Sequence, residues 1–263
     1  MILLFLTDIL LMRKKAGDNM KKKTAIIIIV LIISIITLFM STKLGTDLKK
    51  ENTIKNEVKE ITKVFSTENI DDDDVNEILN RRLIKKGEYA KVEDSIKCYY
   101  QELYSSIKNL SFLISSSNYN SYLTEANLKD DAPNFDKSKT NLSNYKAQLD
   151  EIYNSYNDIY SNEDKILSYI KDKKTSNYYI QFYLDIIEEN KNEDLAKEFE
   201  KEYKDNTDKV DTYNKIFDFI IKNNKHWAIV NGSITFDDPK LLDEYLELYN
   251  SLNIKENTKS QTS

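Results

Sequence analysis

Leu142–Ile170, LSNYKAQLDEIYNSYNDIYSNEDKILSYI, places Leu142, Tyr145, Leu149, Ile152, Tyr156, Ile159, Glu163, Ile166 and Ile170 at alternating steps of three and four residues. That spacing keeps one helix face apolar over four heptads, a coiled-coil-like seam; a strand would scatter the same residues over both its faces. The seam predicts a mainly α fold in which this helix packs against others. Glu163 interrupts it, and Ser161-Asn162-Glu163-Asp164 reads as a bend that turns the acid to water; the competing reading is a buried acid in a pocket. Tyrosine recurs in the seam, and a buried phenol needs a partner for its hydroxyl. The expectation is a thin core with tyrosine tips at the surface.

On the C-terminal side, a helix over 176–190 uses Tyr179, Phe182 and Ile186 with Ser176 as its cap. Another, over 193–223, uses Leu195, Phe199, Tyr203, Val210, Tyr213, Phe217 and Ile220. The pattern then switches to alternation at His226–Phe236, HWAIVNGSITF, centred on Asn231-Gly232. Asn-Gly suits a type I′ hairpin turn, whose central residues both need positive φ. A two-residue loop pairs Val230 with Ser233, Ile229 with Ile234 and Trp227 with Phe236, and leaves those last four on one face. Such a hairpin is marginal alone and is expected to cap the end of the helical bundle. Asp238-Pro239 reads as the start of a final helix with Leu241, Tyr245, Leu248 and Leu252; the tail from Ile254 is expected to fray.

On the N-terminal side, the stretch 115–135 reads as a polar connection with one short helix near 119–128, broken at Pro133. Before it, Val92, Ile96, Tyr99, Leu103, Ile107, Leu110 and Ile114 form the stripe of a long amphipathic helix, with Cys98 on its polar face. Val75, Ile78, Leu79 and Leu83 predict a helix ending at Gly87 as C-cap. The run Asp71-Asp72-Asp73-Asp74 resembles the start of a calcium loop, but an EF-hand frame needs Gly at 77 and Glu at 83, where the chain has Glu77 and Leu83. Those carboxylates read instead as caps at a helix N-terminus. Leu48, Ile54, Val58, Ile61 and Phe65 give a helical stripe below an apolar stretch.

That stretch is Thr24–Met40, TAIIIIVLIISIITLFM, with twelve Ile, Leu, Val or Phe and no charge. At about −0.4 kcal/mol each, these residues favour insertion by roughly 5 kcal/mol. Extended to Leu44, the helix reaches about 31 Å, close to a bilayer core. Arg13, Lys14, Lys15, Lys21, Lys22 and Lys23 precede it, whereas the lysines after it are diluted by Asp47, Glu51 and Glu57. The positive-inside bias puts the N-terminus in the cytoplasm. No Ala-x-Ala site follows, which favours an uncleaved anchor over a signal peptide. Met20-Lys21-Lys22-Lys23 begins a complete export signal, so the simplest account of residues 1–19 is a start-site artefact; a short interfacial segment is the alternative.

Excluding the six basic and two acidic residues of the first 40 leaves 32 basic against 42 acidic, a net charge of −10. Nonspecific binding of nucleic acid is therefore not expected. Three Arg among 38 basic residues, with abundant Lys, Asn, Ile and Tyr, point to an AT-rich genome such as that of a low-GC Gram-positive bacterium. Four Gly and two Pro are too few for a loop-rich β domain. One His and one Cys preclude multi-His zinc sites and Cys clusters, and no G-x-S-x-G, Walker A or G-x-G-x-x-G occurs. A Cys98–His226 nucleophilic pair lacks any local signature. His226 faces Asp237 across the proposed hairpin, either as a pH-responsive pair or as an exposed end.

The expected organisation is a cytoplasmic N-terminus over 1–23, a transmembrane anchor over 24–44, a stalk helix over 45–70, an elongated extracytoplasmic helical bundle over 71–253 with a hairpin at 226–236, and a polar tail over 254–263. No catalytic, metal or cofactor residues are assigned. The expected role is that of a non-enzymatic envelope protein with a single membrane span, monomeric or weakly dimeric, that binds an envelope protein or cell-wall partner. A wall-polymer hydrolase using dispersed carboxylates, or a sensor subunit with a separate signalling partner, are the alternatives.

Overall fold

The computed structural model describes residues 18–66, 71–171, 173–230 and 232–257, with side chains from 28 to 252. The apolar segment 2–12, the side chains of Lys21–Lys23, Asn231 and the tail 258–263 lie outside the described residues. The chain is mainly helical with one two-stranded antiparallel sheet near its C-terminus. It divides into two compact units, 1–57 and 58–263.

Helix α1, Asp18–Phe65, is continuous. Its stretch from Ile28 is long and apolar enough to cross a membrane, and its side chains there are outward-facing and exposed. Ser34, Thr37, Ser41 and Thr42 each donate a hydroxyl hydrogen bond to a carbonyl three or four residues earlier, so the polar groups of the apolar stretch are satisfied within the helix. Leu48 is exposed, but Val58, Ile61 and Phe65 are buried. The ring of Phe65 meets Tyr100 and Tyr104 at 5.7 and 5.6 Å. The stretch expected to be a stalk thus ends as core: its apolar stripe is covered where it reaches the second unit.

Helix α2 spans Asp72–Asn80 and is capped by the Asp71 carboxylate, which accepts from the Asp73 amide at 2.8 Å. It stops seven residues before Gly87, and Leu83 is exposed, so the expected C-cap at Gly87 is corrected. Gly87, at φ +94°, instead precedes helix α3, Glu88–Ser116. The cause of the early stop is a buried ion pair. The Glu93 carboxylate accepts from the amides of Leu83 and Ile84 at 2.9 and 2.8 Å and from Lys97 Nζ at 3.0 Å, while Lys97 also donates to the Arg81 carbonyl. These charges give the non-helical strap 81–87 partners that a longer α2 would have supplied internally.

Helix α3 packs on α5, Asp136–Ser161, α6, Glu163–Lys171, and α7, Asn177–Glu189. Val92, Ile96, Tyr99, Leu103 and Leu110 are buried as the stripe predicts, and Cys98 is exposed. The stretch 115–135 is less of a polar connection than it reads. It forms a 3-10 turn, Tyr119–Ser121, and helix α4, Glu125–Asp131, and its Leu128 and Phe135 are fully buried. Asp131 ends this stretch by capping α5, accepting from the Ser138 amide at 2.7 Å and Lys137 at 3.1 Å.

The seam holds through Leu142, Leu149, Tyr156, Ile159, Ile166 and Ile170, all buried. Glu163 is exposed at a break between α5 and α6, where Asn162 accepts from the Asp164 and Lys165 amides. The bend reading is correct and the buried-acid reading is not. Some tyrosines reach the surface, as Tyr169 does by donating to Glu102 at 2.7 Å, but others are sealed in the core. Tyr99, Tyr100, Tyr156 and Tyr183 are each at most 3% exposed. Tyr183 donates to the Ile166 carbonyl at 3.0 Å, whereas the Tyr100 and Tyr156 hydroxyls have no hydrogen-bond partner among the described residues. Ring contacts such as Tyr156–Phe199 at 3.9 Å replace that hydrogen bonding with apolar packing.

Helix α8, Glu193–Lys222, starts at Asn192, whose side chain accepts from the Leu195 amide. Strands β1, Trp227–Val230, and β2, Ser233–Phe236, pair in the expected register, Trp227 with Phe236 and Ile229 with Ile234. Gly232 has φ +80°, as the turn requires. The hairpin face packs with Phe135, Phe217, Ile220 and Tyr245, and Trp227 Nε1 donates to the Ile220 carbonyl at 3.1 Å. Helix α9, Pro239–Asn257, opens at Asp238, whose carboxylate accepts from the Lys240 amide. It runs on to Asn257, past the residue where fraying is expected.

Candidate functional site

The apolar stripe of α3 outlasts its cover. Leu110 is buried, but Ile107 and Ile114 are half-buried and Phe112 is 72% exposed. Opposite them, the first turns of α8 present Leu195 and Phe199. Between these helices and the end of α1 lies an open groove of ≈ 700 Å³, floored by Phe65, Ile107, Leu110, Ile114, Leu195 and Phe199. That volume is within the range of ligand-binding clefts. Both walls, Ile107–Ser115 and Asp194–Glu202, span eight residue steps, about 12 Å or two helical turns.

The rim is polar: Asp194, Glu198 and Glu202 line it together with Ser66, Ser111 and Ser115, and among the described residues no Lys or Arg does. Asp194 meets Lys197 at 3.4 Å on the exposed side of α8. At the α7–α8 corner the groove adjoins a shallow shelf of mixed charge that carries Lys59, Lys63 and Lys191 with Glu193 and Asp194. On its inner side, a void of ≈ 10 Å³ reaches Tyr99, Tyr100 and Tyr160, and burial pushes the phenols of Tyr99 and Tyr100 far above the ordinary range. Those tyrosines stay neutral and form a rigid aromatic backing.

The residues singled out from sequence do not gather here. The exposed Cys98 sits midway along α3. His226 Nδ1 lies 3.1 Å from Asp237 Oδ1, both exposed at the open end of the hairpin, and no hydrogen bond links His226 to Cys98 among the described residues. Asp72 binds Tyr104 and Lys108. Lys108, then Tyr104, holds its carboxyl below the usual range, while burial, followed by the bond to Asp72, pushes Tyr104 up to about 12. Asp71 and Asp72 thus serve as a cap and a tether. No group of three or more His, Cys, Asp or Glu suited to a metal ion occurs among the described residues. The groove itself was missed: its parts lie some 90 residues apart, and the one legible signal was apolar periodicity continuing to Ile114 beside a polar connection.

Comparison with protein-family models, curated proteins and solved structures found no match for this chain.

Proposed function

We propose that the chain is a single-pass, membrane-anchored envelope protein whose helical body faces outward and binds a partner without catalysing a reaction. The observation that carries this reading is the open apolar groove on a body entered by the same continuous helix that can cross a membrane. A monomeric surface seldom leaves such a floor uncovered except where something docks. The basic cluster before Thr24 supports an inside N-terminus, and the acidic balance after it suits an aqueous face rather than anionic lipid.

Cys98 makes the orientation measurable, because it is the chain's one thiol and is exposed. A membrane-impermeant maleimide should label it on intact cells, or on protoplasts where the wall blocks access. Labelling only after lysis would reverse the orientation and end this reading. In the same cells, a photo-crosslinking amino acid at Ile114 should yield an adduct that the same residue at Asp243 on α9 does not; equal adducts at both would remove the groove as the binding surface.

A further inference from the structure

We propose that Tyr153 and Tyr203 form a modification site, joined as an intramolecular dityrosine when a diffusible one-electron oxidant reaches the body. The proposal is independent of the binding role above. Their rings lie face to face between α5 and α8, centroids 4.0 Å apart and 8° from parallel. Both side chains are half-buried, accessible to a small oxidant yet held in place by packing. Other tyrosine pairs meet less favourably: Tyr99 meets Tyr100 and Tyr169 edge to face at 5.1 and 6.1 Å, and Tyr119 stacks on Tyr213 at 5.6 Å. Tyr203 Oη donates to Asp150 Oδ1 at 2.7 Å, so a proton acceptor is already in place. That bond, then burial, raises the Tyr203 pKa. The phenol is therefore neutral when oxidised and loses its proton with the electron. One oxidant equivalent removes an electron from Tyr203 as its phenolic proton passes to Asp150; a second removes an electron from Tyr153, whose proton goes to water. The two radicals couple through carbons ortho to their oxygens, one C–C bond forms, and the hydrogen on each joined carbon moves to its own oxygen through water. Two electrons and two protons leave, and both phenols are restored. The bond ties α5 to α8 and closes the chain between residues 153 and 203, which restricts the unfolded state as a disulfide does.

The test uses the full chain in dodecyl maltoside micelles, carrying Cys98→Ser so that the exposed thiol does not consume oxidant. The probe is hexachloroiridate(IV), an outer-sphere one-electron oxidant, at two equivalents per chain. Monomer is separated from crosslinked oligomer by denaturing electrophoresis, its dityrosine is measured by fluorescence, and the joined peptides are mapped by mass spectrometry. The monomer should lose the mass of two hydrogens, with the new bond mapped between Tyr153 and Tyr203, and its melting temperature should rise by at least about 5 °C. Tyr153→Phe and Tyr203→Phe, each with helicity retained, should lower monomer dityrosine at least fivefold, whereas Tyr213→Phe should change it less than twofold. Asp150→Asn, which keeps an acceptor oxygen but cannot take up the proton, should slow formation at least fivefold at neutral pH with helicity retained. A monomer without dityrosine, a bond mapped to other tyrosines, or equal loss from Tyr153→Phe and Tyr213→Phe would each overturn the proposal. So would undiminished formation in Asp150→Asn.

Discussion

Glu93 has a side chain only 2% exposed, yet it binds two amides of the strap 81–87 and the Lys97 ammonium. A buried pair of this kind is costly to break from one side, because the remaining charge stays desolvated. Glu93→Ala should therefore lower unfolding stability by about 3–5 kcal/mol, measured by urea titration. Glu93→Met with Lys97→Met should cost markedly less than the single change, since neither charge is left alone. A single variant within about 0.5 kcal/mol of the parent would remove the strap from the cooperative fold. Nothing in the local sequence distinguishes Glu93 from its half-buried neighbour Asp94, which pairs with Arg82; only the path of the strap makes Glu93 internal.

At the scale of an element, α5 and α6 make the clearest case. Leu149 is fully buried at the centre of the seam, so Leu149→Asp both empties an apolar site and buries an unpaired carboxylate. A loss of about 4 kcal/mol or more is expected, read as a collapsed melting transition by circular dichroism. A cooperative melt at the parent temperature would take this seam out of the core. The helix pair was legible because its period is local, and the hairpin register was legible because Asn231-Gly232 allows few loop geometries. The end of α2 was not legible, since Leu83 continues the period but tertiary hydrogen bonds to Glu93 hold its amide.

For the whole molecule, the tyrosine-rich interior sets the alkaline limit. Burial raises the phenol pKa of Tyr99, Tyr100, Tyr156 and Tyr183 above the ordinary value near 10. Because the unfolded chain ionises first, stability is intact below about pH 10 and falls as pH rises beyond it. Each group removes about 1.4 kcal/mol per pH unit, roughly 5 for the four together. Against a typical 5–15 kcal/mol, unfolding should occur within about one to three units above pH 10, with a second rise in tyrosinate absorbance, beyond that of exposed phenols such as Tyr178, alongside loss of helicity. Complete tyrosine ionisation with helicity retained would contradict the buried aromatic core. By itself, the sequence determined the apolar span, the helical class, the seam and the hairpin pairing, because each follows from periodicity or turn chemistry within a few consecutive residues. Only the tertiary structure decided that Val58–Phe65 joins the body, that Leu128 and Phe135 are core, that Tyr99, Tyr100, Tyr156 and Tyr183 are sealed inside, and that α3 and α8 leave a groove open. Burial is a property of what packs across from a residue, and those neighbours come from helices far away in the chain.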